Sequence, residues 1–207
     1  MPHWGESYAH KAAVFADTDW WKEEALHTMQ YLPLFESGSK TDIQVLDVGC
    51  NLGAWEKLAR KESYPHTIHA MDVNTYAVDV LKSEDLPNVI THTDLNTVPK
   101  GLDYVVMMHV INQIENLEET LASIWRKMNS GATIVVVTHN PIPSKFRWLE
   151  NKIKGYKPDP TMVREPRLGE LNQLMYDNGF KHYSSFYFGK KLIPFLNRRI
   201  MYVGTKP

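Results

Sequence analysis

The run Val45-Leu46-Asp47-Val48-Gly49-Cys50-Asn51-Leu52-Gly53 carries an apolar segment straight into a glycine-bearing turn with helix-forming residues behind it. Gly49 and Gly53 let the backbone turn sharply and approach a ligand closely. A helix starting there offers unpaired N–H groups and the positive end of its dipole, which suit a carboxylate or a phosphate. Asp72 stands 23 positions after Gly49, just past a second apolar segment. An acid roughly 20 residues beyond such a turn accepts hydrogen bonds from ribose hydroxyls. The stretch therefore predicts recognition of a nucleoside-bearing cofactor at the carboxyl end of a first strand.

Further candidates stand where other apolar segments end. His109 closes the segment from Tyr104 to Met108, and its ordinary titration near neutrality makes it a candidate general base. Asn112 and Gln113 follow in the same loop, and His139 and Asn140 close a β-branched segment. Asn112 and Gln113 are candidates for holding a substrate's polar groups or part of the cofactor, and His139 and Asn140 for lining the pocket. Pro141 to Arg167 reads as a long insert with Phe146-Arg147-Trp148-Leu149 and seven basic residues, Lys145, Arg147, Lys152, Lys154, Lys157, Arg164 and Arg167. Long insertions on a scaffold often carry specificity. Arginine suits carboxylates and phosphates through paired bonds, so Arg147 and Arg164, with Trp148, are expected on the substrate.

The elements that must position these groups alternate. Strands are expected over Ile43–Val48, Thr67–Met71, Asn88–His92, Asp103–His109 and Ala132–Thr138, with helices over Gly53–Glu62, Thr75–Ser83 and from Leu117 to Met128. Leu117, Leu121, Ile124, Trp125 and Met128 keep a helical spacing, and Gly131 reads as the stop. A helix over Pro166–Asn178 precedes two strands near Phe180–Phe188 and Arg198–Gly204. The short turn between those two makes them a hairpin, so one of them runs against the rest. Before all this, Trp21, Ala25, Met29 and Leu32 recur at helical spacing, and Ser37–Lys40 reads as a linker. The prediction is an α/β fold with a doubly wound, mostly parallel seven-stranded sheet, a C-terminal antiparallel hairpin strand, helices on both faces and an N-terminal helical extension. One domain over 1–207 divides into a helical cap (1–40), a cofactor core (41–139), a substrate-side insert (140–167) and a C-terminal helix with hairpin (168–207).

Composition bounds the rest. Hydrophobic residues make up 43% and charged residues 23% of 207, as in a globular protein. Cys50 is the only cysteine, which excludes an intrachain disulfide and a multi-cysteine metal site, and no metal is expected. It fits a reducing, cytoplasmic setting. The longest apolar runs are strand-length, so no membrane partner is expected. Net charge is divided: residues 1–139 hold 10 Lys/Arg against 19 Asp/Glu, residues 140–207 hold 13 against 5. Such asymmetry marks an anion-binding face. The aromatics His3, Trp4, Tyr8, Phe15, Trp20 and Trp21 either stack on a substrate or pack the cap.

Asp47-Val48-Gly49-Cys50-Asn51-Leu52-Gly53 resembles the first motif of class I (Rossmann-like) S-adenosylmethionine-dependent methyltransferases. Its G-x-N-x-G spacing departs from the dinucleotide fingerprint G-x-G-x-x-G. Asn51 stands where that family usually has glycine, and asparagine tolerates left-handed backbone angles. The resemblance runs from Ile43 to the C-terminus and is nearest to the broad group acting on small molecules. It implies that Asp47, Gly49, Cys50, Asn51 and Gly53 cradle the cofactor and that Asp72, with Val73, holds the ribose. It places Asp94 by the adenine amino group, Leu95 against the ring and His109 facing the reacting methyl. The implied activity is in-line methyl transfer from S-adenosylmethionine to a small molecule, leaving S-adenosylhomocysteine, and the basic insert points to an anionic one. An RNA methyltransferase and a catalytically inactive binding module of the same fold stay open as alternatives, as does the oligomeric state.

Overall fold

The computed structural model describes residues 5–33, 42–141, 162–189 and 192–207. Two helices lead, α1 (Glu6–Ala16) and α2 (Asp19–Met29). They are followed by β1 (Gln44–Val48), α3 (Ala54–Lys61), β2 (Thr67–Met71), α4 (Thr75–Ser83), β3 (Val89–His92) and β4 (Leu102–Met108). Then come α5 (Leu117–Lys127), β5 (Met128–His139), α6 (Leu168–Asp177), β6 (Lys181–Phe188) and β7 (Arg199–Thr205). The strands form a seven-stranded sheet in the order β3-β2-β1-β4-β5-β7-β6. β1 to β5 pair in parallel, and β7 runs antiparallel between β5 and β6.

The side-chain period of two divides each central strand between two cores. Leu46, Val105 and Val136 point to the face covered by α5 and α6, where Leu121, Ile124 and Leu171 are fully buried. Val45, Val106 and Val135 point to the face covered by α2 and α3, against Met29, Trp55 and Ala59. Burial on both faces is why these strands read as continuous apolar runs. Thr28 fixes α2 on its face. Its hydroxyl accepts from Trp55 Nε1 at 3.0 Å, and its carbonyl accepts from the Tyr104 hydroxyl at 2.6 Å. One turn earlier on the same helix face stands Glu24, buried beneath the carboxyl ends of β4 and β5.

Three boundaries differ from the sequence reading. β5 begins at Met128, directly after α5, so the residue expected to close the helix opens the strand and pairs with Leu102. Gly131 then lies inside the strand, where the β4–β5 register shifts, and not at a helix stop. The reason is the extra pairing available to the chain: Asn129 Nδ2 bonds Gly101 O (3.0 Å) and Asp103 Oδ1 (2.7 Å), drawing residues 128–130 onto β4. His109 leaves β4 in a left-handed conformation with φ of 57° and does not continue the strand. The N-terminal aromatic stretch is two helices, broken at Asp17-Thr18, and Leu32 lies beyond the second. Ser37–Lys40, His3, Trp4 and most of the basic insert lie outside the described residues.

Candidate active site

The site is built where strand order reverses, since β1 is flanked by β2 on one side and β4 on the other. Ligands of open α/β sheets bind outside the carboxyl ends of the strands at such a point. After β1 the chain turns through Gly49 (φ 83°), Asn51 (φ 48°) and Gly53 (φ 74°) before α3 begins. A Cβ on Gly49 would sit 2.6 Å from Val110 Cγ2, so the glycine also lets the loop after β4 close on the turn. Gly49 N and Cys50 N both donate to Met71 O, at 2.7 and 3.1 Å, which ties the turn to the end of β2. The Cys50 thiol is buried, and burial pushes its pKa well up.

Asp72 follows β2 and its carboxylate organises two loops. Oδ2 accepts from Asn51 N at 2.9 Å and Oδ1 from Asn74 N at 2.8 Å. Burial raises its pKa, and these two N–H bonds oppose the rise. Each oxygen keeps a free lone-pair direction, as a ribose acceptor needs. Val73 beside it is 60% exposed, an apolar face open to a ring. Asn74 is buried and its Oδ1 has no partner among the described residues. At the end of β3, Asp94 caps its own turn by accepting from Asn96 N at 2.9 Å, and half-buried Leu95 follows. Four strand ends thus bring Asp47, Gly49, Cys50, Asn51, Gly53, Asp72, Val73, Asp94, Leu95 and His109 to one edge of the sheet.

α1 lies over this edge. Asn51 Nδ2 donates to Ala9 O at 3.2 Å, and Asn74 Nδ2 to Gly5 O at 3.4 Å. Gln113 Nε2 donates to the Tyr8 hydroxyl. Asn51, the departure from the family's usual glycine, therefore has a task that glycine has no side chain to perform: it pins the cap to the turn after β1.

At the ends of β4 and β5 a buried cluster gathers around His109. Its Nε2 lies 2.8 Å from Glu24 Oε2, and its ring stacks on His139 with centroids 4.8 Å apart. The other Glu24 oxygen lies 3.1 Å from Arg199 Nε, and the Arg199 guanidinium covers the Trp20 ring at 4.1 Å. Burial raises Glu24 to about 7, against the pull of Arg199. Burial, with Arg199 nearby, lowers His109 and favours its neutral imidazole.

The expected substrate residues separate. Gln113 and His139 stay at the reaction edge. Asn112 is fully buried and committed to the scaffold: Oδ1 accepts from the Thr138 hydroxyl, Nδ2 donates to Arg164 O at 2.9 Å, and its carbonyl accepts from Val163 N at 2.8 Å. Arg164 bonds Glu118 Oε1 (3.2 Å) and Glu115 O (3.0 Å) at the start of α5, which uses its fork on the protein itself. Arg147 and Trp148 lie outside the described residues. Glu24 and Arg199 were not singled out as site residues from sequence. The available signal was a glutamate three positions after Trp21 on a helix face otherwise apolar. Nothing local marks Arg199.

A parallel sheet reversing at β1, an antiparallel β7 and an acid at the end of each of β2 and β3 define the Rossmann-like class I methyltransferase fold. The model of the methyltransferase-domain family matches residues 20–185. The chain belongs to that family and is an S-adenosylmethionine-dependent methyltransferase. Its fold is shared with a methyltransferase complex with the Trm112 activator from Haloferax volcanii (TM-score 0.72, 15% identity, 98% of this chain and 95% of that one). It is shared too with an S-adenosylmethionine-dependent methyltransferase from Aquifex aeolicus (0.66, 15%, 95% and 97%). A third is phosphoethanolamine N-methyltransferase 2 of Haemonchus contortus with S-adenosylmethionine (0.67, 13%, 97% and 57%). No curated protein matches the chain in sequence.

Proposed function

We propose that this enzyme methylates a small, anion-bearing molecule beneath a helical cap. The observation that carries the reading is the roof: α1 is bonded to the cofactor turn at Asn51 and to Asn74, and Trp20 and Glu24 of α2 close the ends of β4 and β5. A cap bonded across the strand ends favours a small acceptor over a nucleic-acid strand.

The residues present fit the methyl donor. Asp72 retains acceptor capacity for ribose hydroxyls, Val73 and Leu95 offer apolar faces to adenine, and Asp94 stands by its amino group. Asn74 Oδ1, buried and unpartnered, awaits a donor. When bound, the donor supplies a sulfonium-activated methyl, so the protein's work is alignment in a water-poor site. His109 contributes as a neutral wall. Burial lowers its pKa and favours the neutral imidazole, while Glu24 engages its Nε2. Gln113 and His139 border the acceptor, and α1 is the lid that lifts for entry. The anionic preference rests on charge: residues 140–207 carry a net +8, and the insert holding Arg147 and Trp148 leaves β5 at this edge.

The test is production of S-adenosylhomocysteine with small carboxylates, phosphates and their neutral isosteres, and with bulk RNA. Turnover is expected on small anions, with Arg147→Gln lowering kcat/KM roughly tenfold, as for one lost charge-assisted contact. Methylation of RNA alone overturns the reading, as does equal turnover of the neutral isosteres. Binding of S-adenosylmethionine without turnover of any acceptor supports an inactive binding module instead.

A further inference from the structure

The connection between β6 and β7 ends in an apolar tip that the fold holds outward. Residues 192–196 read Leu-Ile-Pro-Phe-Leu, where a hairpin connection ordinarily carries Gly, Asn, Asp or Ser. Leu192 is 98% exposed, Ile193 46% and Phe195 48%. Their exposure does not come from a loosely held backbone. Asn140, buried at the end of β5, donates from Nδ2 to Phe195 O (2.9 Å) and Asn197 O (2.7 Å). Its N–H donates to Arg198 O (2.8 Å), and Leu196 N bonds Ile193 O (3.0 Å). Asn197 is itself buried. A braced backbone with three large apolar side chains in water is unfavourable unless something apolar receives them.

The charges around the tip say what. Exposed Arg198 adjoins it, and Lys190 and Lys191 immediately precede it in sequence. Residues 178–207 contain no Asp or Glu at all. Apolar side chains beside a group of cations are the two signals that together hold a protein on an anionic bilayer. The place matters as well. His139 pairs with Arg199, so the tip stands at the same edge of the sheet as the cofactor turn.

We propose that Leu192, Ile193 and Phe195, with Arg198, form an anchor that docks the mouth of the active site onto an anionic lipid surface. This concerns peripheral docking. The shortness of the apolar runs bears only on spanning, and among the described residues no helix is long and apolar enough to cross a membrane. The proposal does not depend on which acceptor is methylated.

The test is co-sedimentation of the full chain with vesicles of phosphatidylcholine, with and without one-third phosphatidylglycerol, at low and high salt. Binding is expected to the anionic vesicles, weaker on pure phosphatidylcholine and at 0.5 M salt, the latter by roughly fivefold per basic residue engaged. Changing Leu192→Ser, Ile193→Ser and Phe195→Ser together should reduce binding at least about tenfold. The three side chains are exposed, so the variant should keep the thermal shift given by S-adenosylmethionine, which separates lost docking from lost folding. Arg198→Gln should weaken binding to anionic vesicles and leave neutral ones unaffected. No sedimentation with anionic vesicles overturns the proposal, as does undiminished binding by the triple variant. A wild-type dimer that becomes monomeric in the triple variant also overturns it, because the tip is then covered by a second copy.

Discussion

The carboxyl groups beneath the cofactor turn set a condition on pH that the exposed residues do not. Glu56 on α3 is fully buried beside the Asp47 carboxyl, and among the described residues neither of its oxygens has a hydrogen-bond partner of good geometry. Burial raises it from 4.5 to about 7. Neighbouring Asp47 is pushed well up by burial and by Glu56. A carboxyl whose folded pKa exceeds its unfolded one favours the fold while protonated. That contribution is whole below about 4.5 and is lost as pH rises through about 7. Glu24, raised by burial in the same sense, adds to the trend. Glu56→Gln removes one titration, relieves the push of Glu56 on Asp47 and leaves Glu24 in place, so the difference between variant and wild type reports the Glu56–Asp47 pair. Thermal melts should show the variant gaining roughly 2–4 °C on wild type between pH 5 and pH 8, the shift that ~1 kcal/mol gives in a chain of this size. Parallel melting curves across that range would mean that Glu56 is already ionised in the fold. The sequence did not point to Glu56, because a glutamate in a helix flanked by Trp55 and Lys57 looks like an ordinary solvent-facing residue until α3 is seen packed on β1.

At the scale of elements, α3 and α4 meet at Gly53. This residue caps α3 at φ of 74°, and a methyl built on it would overlap Leu81 Cδ1 of α4. Gly53→Ala combines a left-handed non-glycine residue, at roughly 1–2 kcal/mol, with overpacking at roughly 1–3. The expected loss is about 2–5 kcal/mol in urea unfolding, and a loss below about 0.5 would show that α3 starts elsewhere. Here the sequence was legible: glycine after an apolar strand announced the turn, and β2 and α4 fall on Thr67–Met71 and Thr75–Ser83 as their patterns predict. Legibility ended where tertiary pairing overrode local pattern. Met128 completes an apolar helical stripe, yet Asn129 finds Asp103 and Gly101 across the sheet and the chain becomes strand. The site divides in the same way. The residues at the ends of β1, β2 and β3 are set by local turns and could be read. The Glu24–His109–Arg199 cluster joins α2, β4 and β7 across 175 positions of sequence, from 24 to 199, and no spacing rule reaches that far.

At the scale of the whole molecule the cap ties three strand ends together, and the proposed cofactor site lies among them: α1 is bonded to the turn after β1, to Asn74 after β2 and, through Tyr8, to Gln113 after β4. A ligand that joins three strand ends to a cap stabilises the folded state alone, and the stabilisation follows mass action. At about 100 times its Kd, S-adenosylmethionine should add roughly 2.7 kcal/mol, or about 5–11 °C in Tm for a chain of this length. S-Adenosylhomocysteine should act alike, because ribose, adenine and amino-acid contacts are common to both, and NADH should not. Asp72→Ala removes the acceptor for two backbone N–H groups, so its unliganded Tm falls. The informative quantity is therefore the cofactor-induced shift, expected to vanish in Asp72→Ala. Asn51→Gly preserves the left-handed turn and deletes only the bond to Ala9 O, so it should retain part of the shift, with the missing part measuring what the cap contributes to holding the cofactor. A full shift in Asp72→Ala would place the ribose elsewhere on the sheet edge and dissolve the assignment of the turn, the acid and the cap to one site.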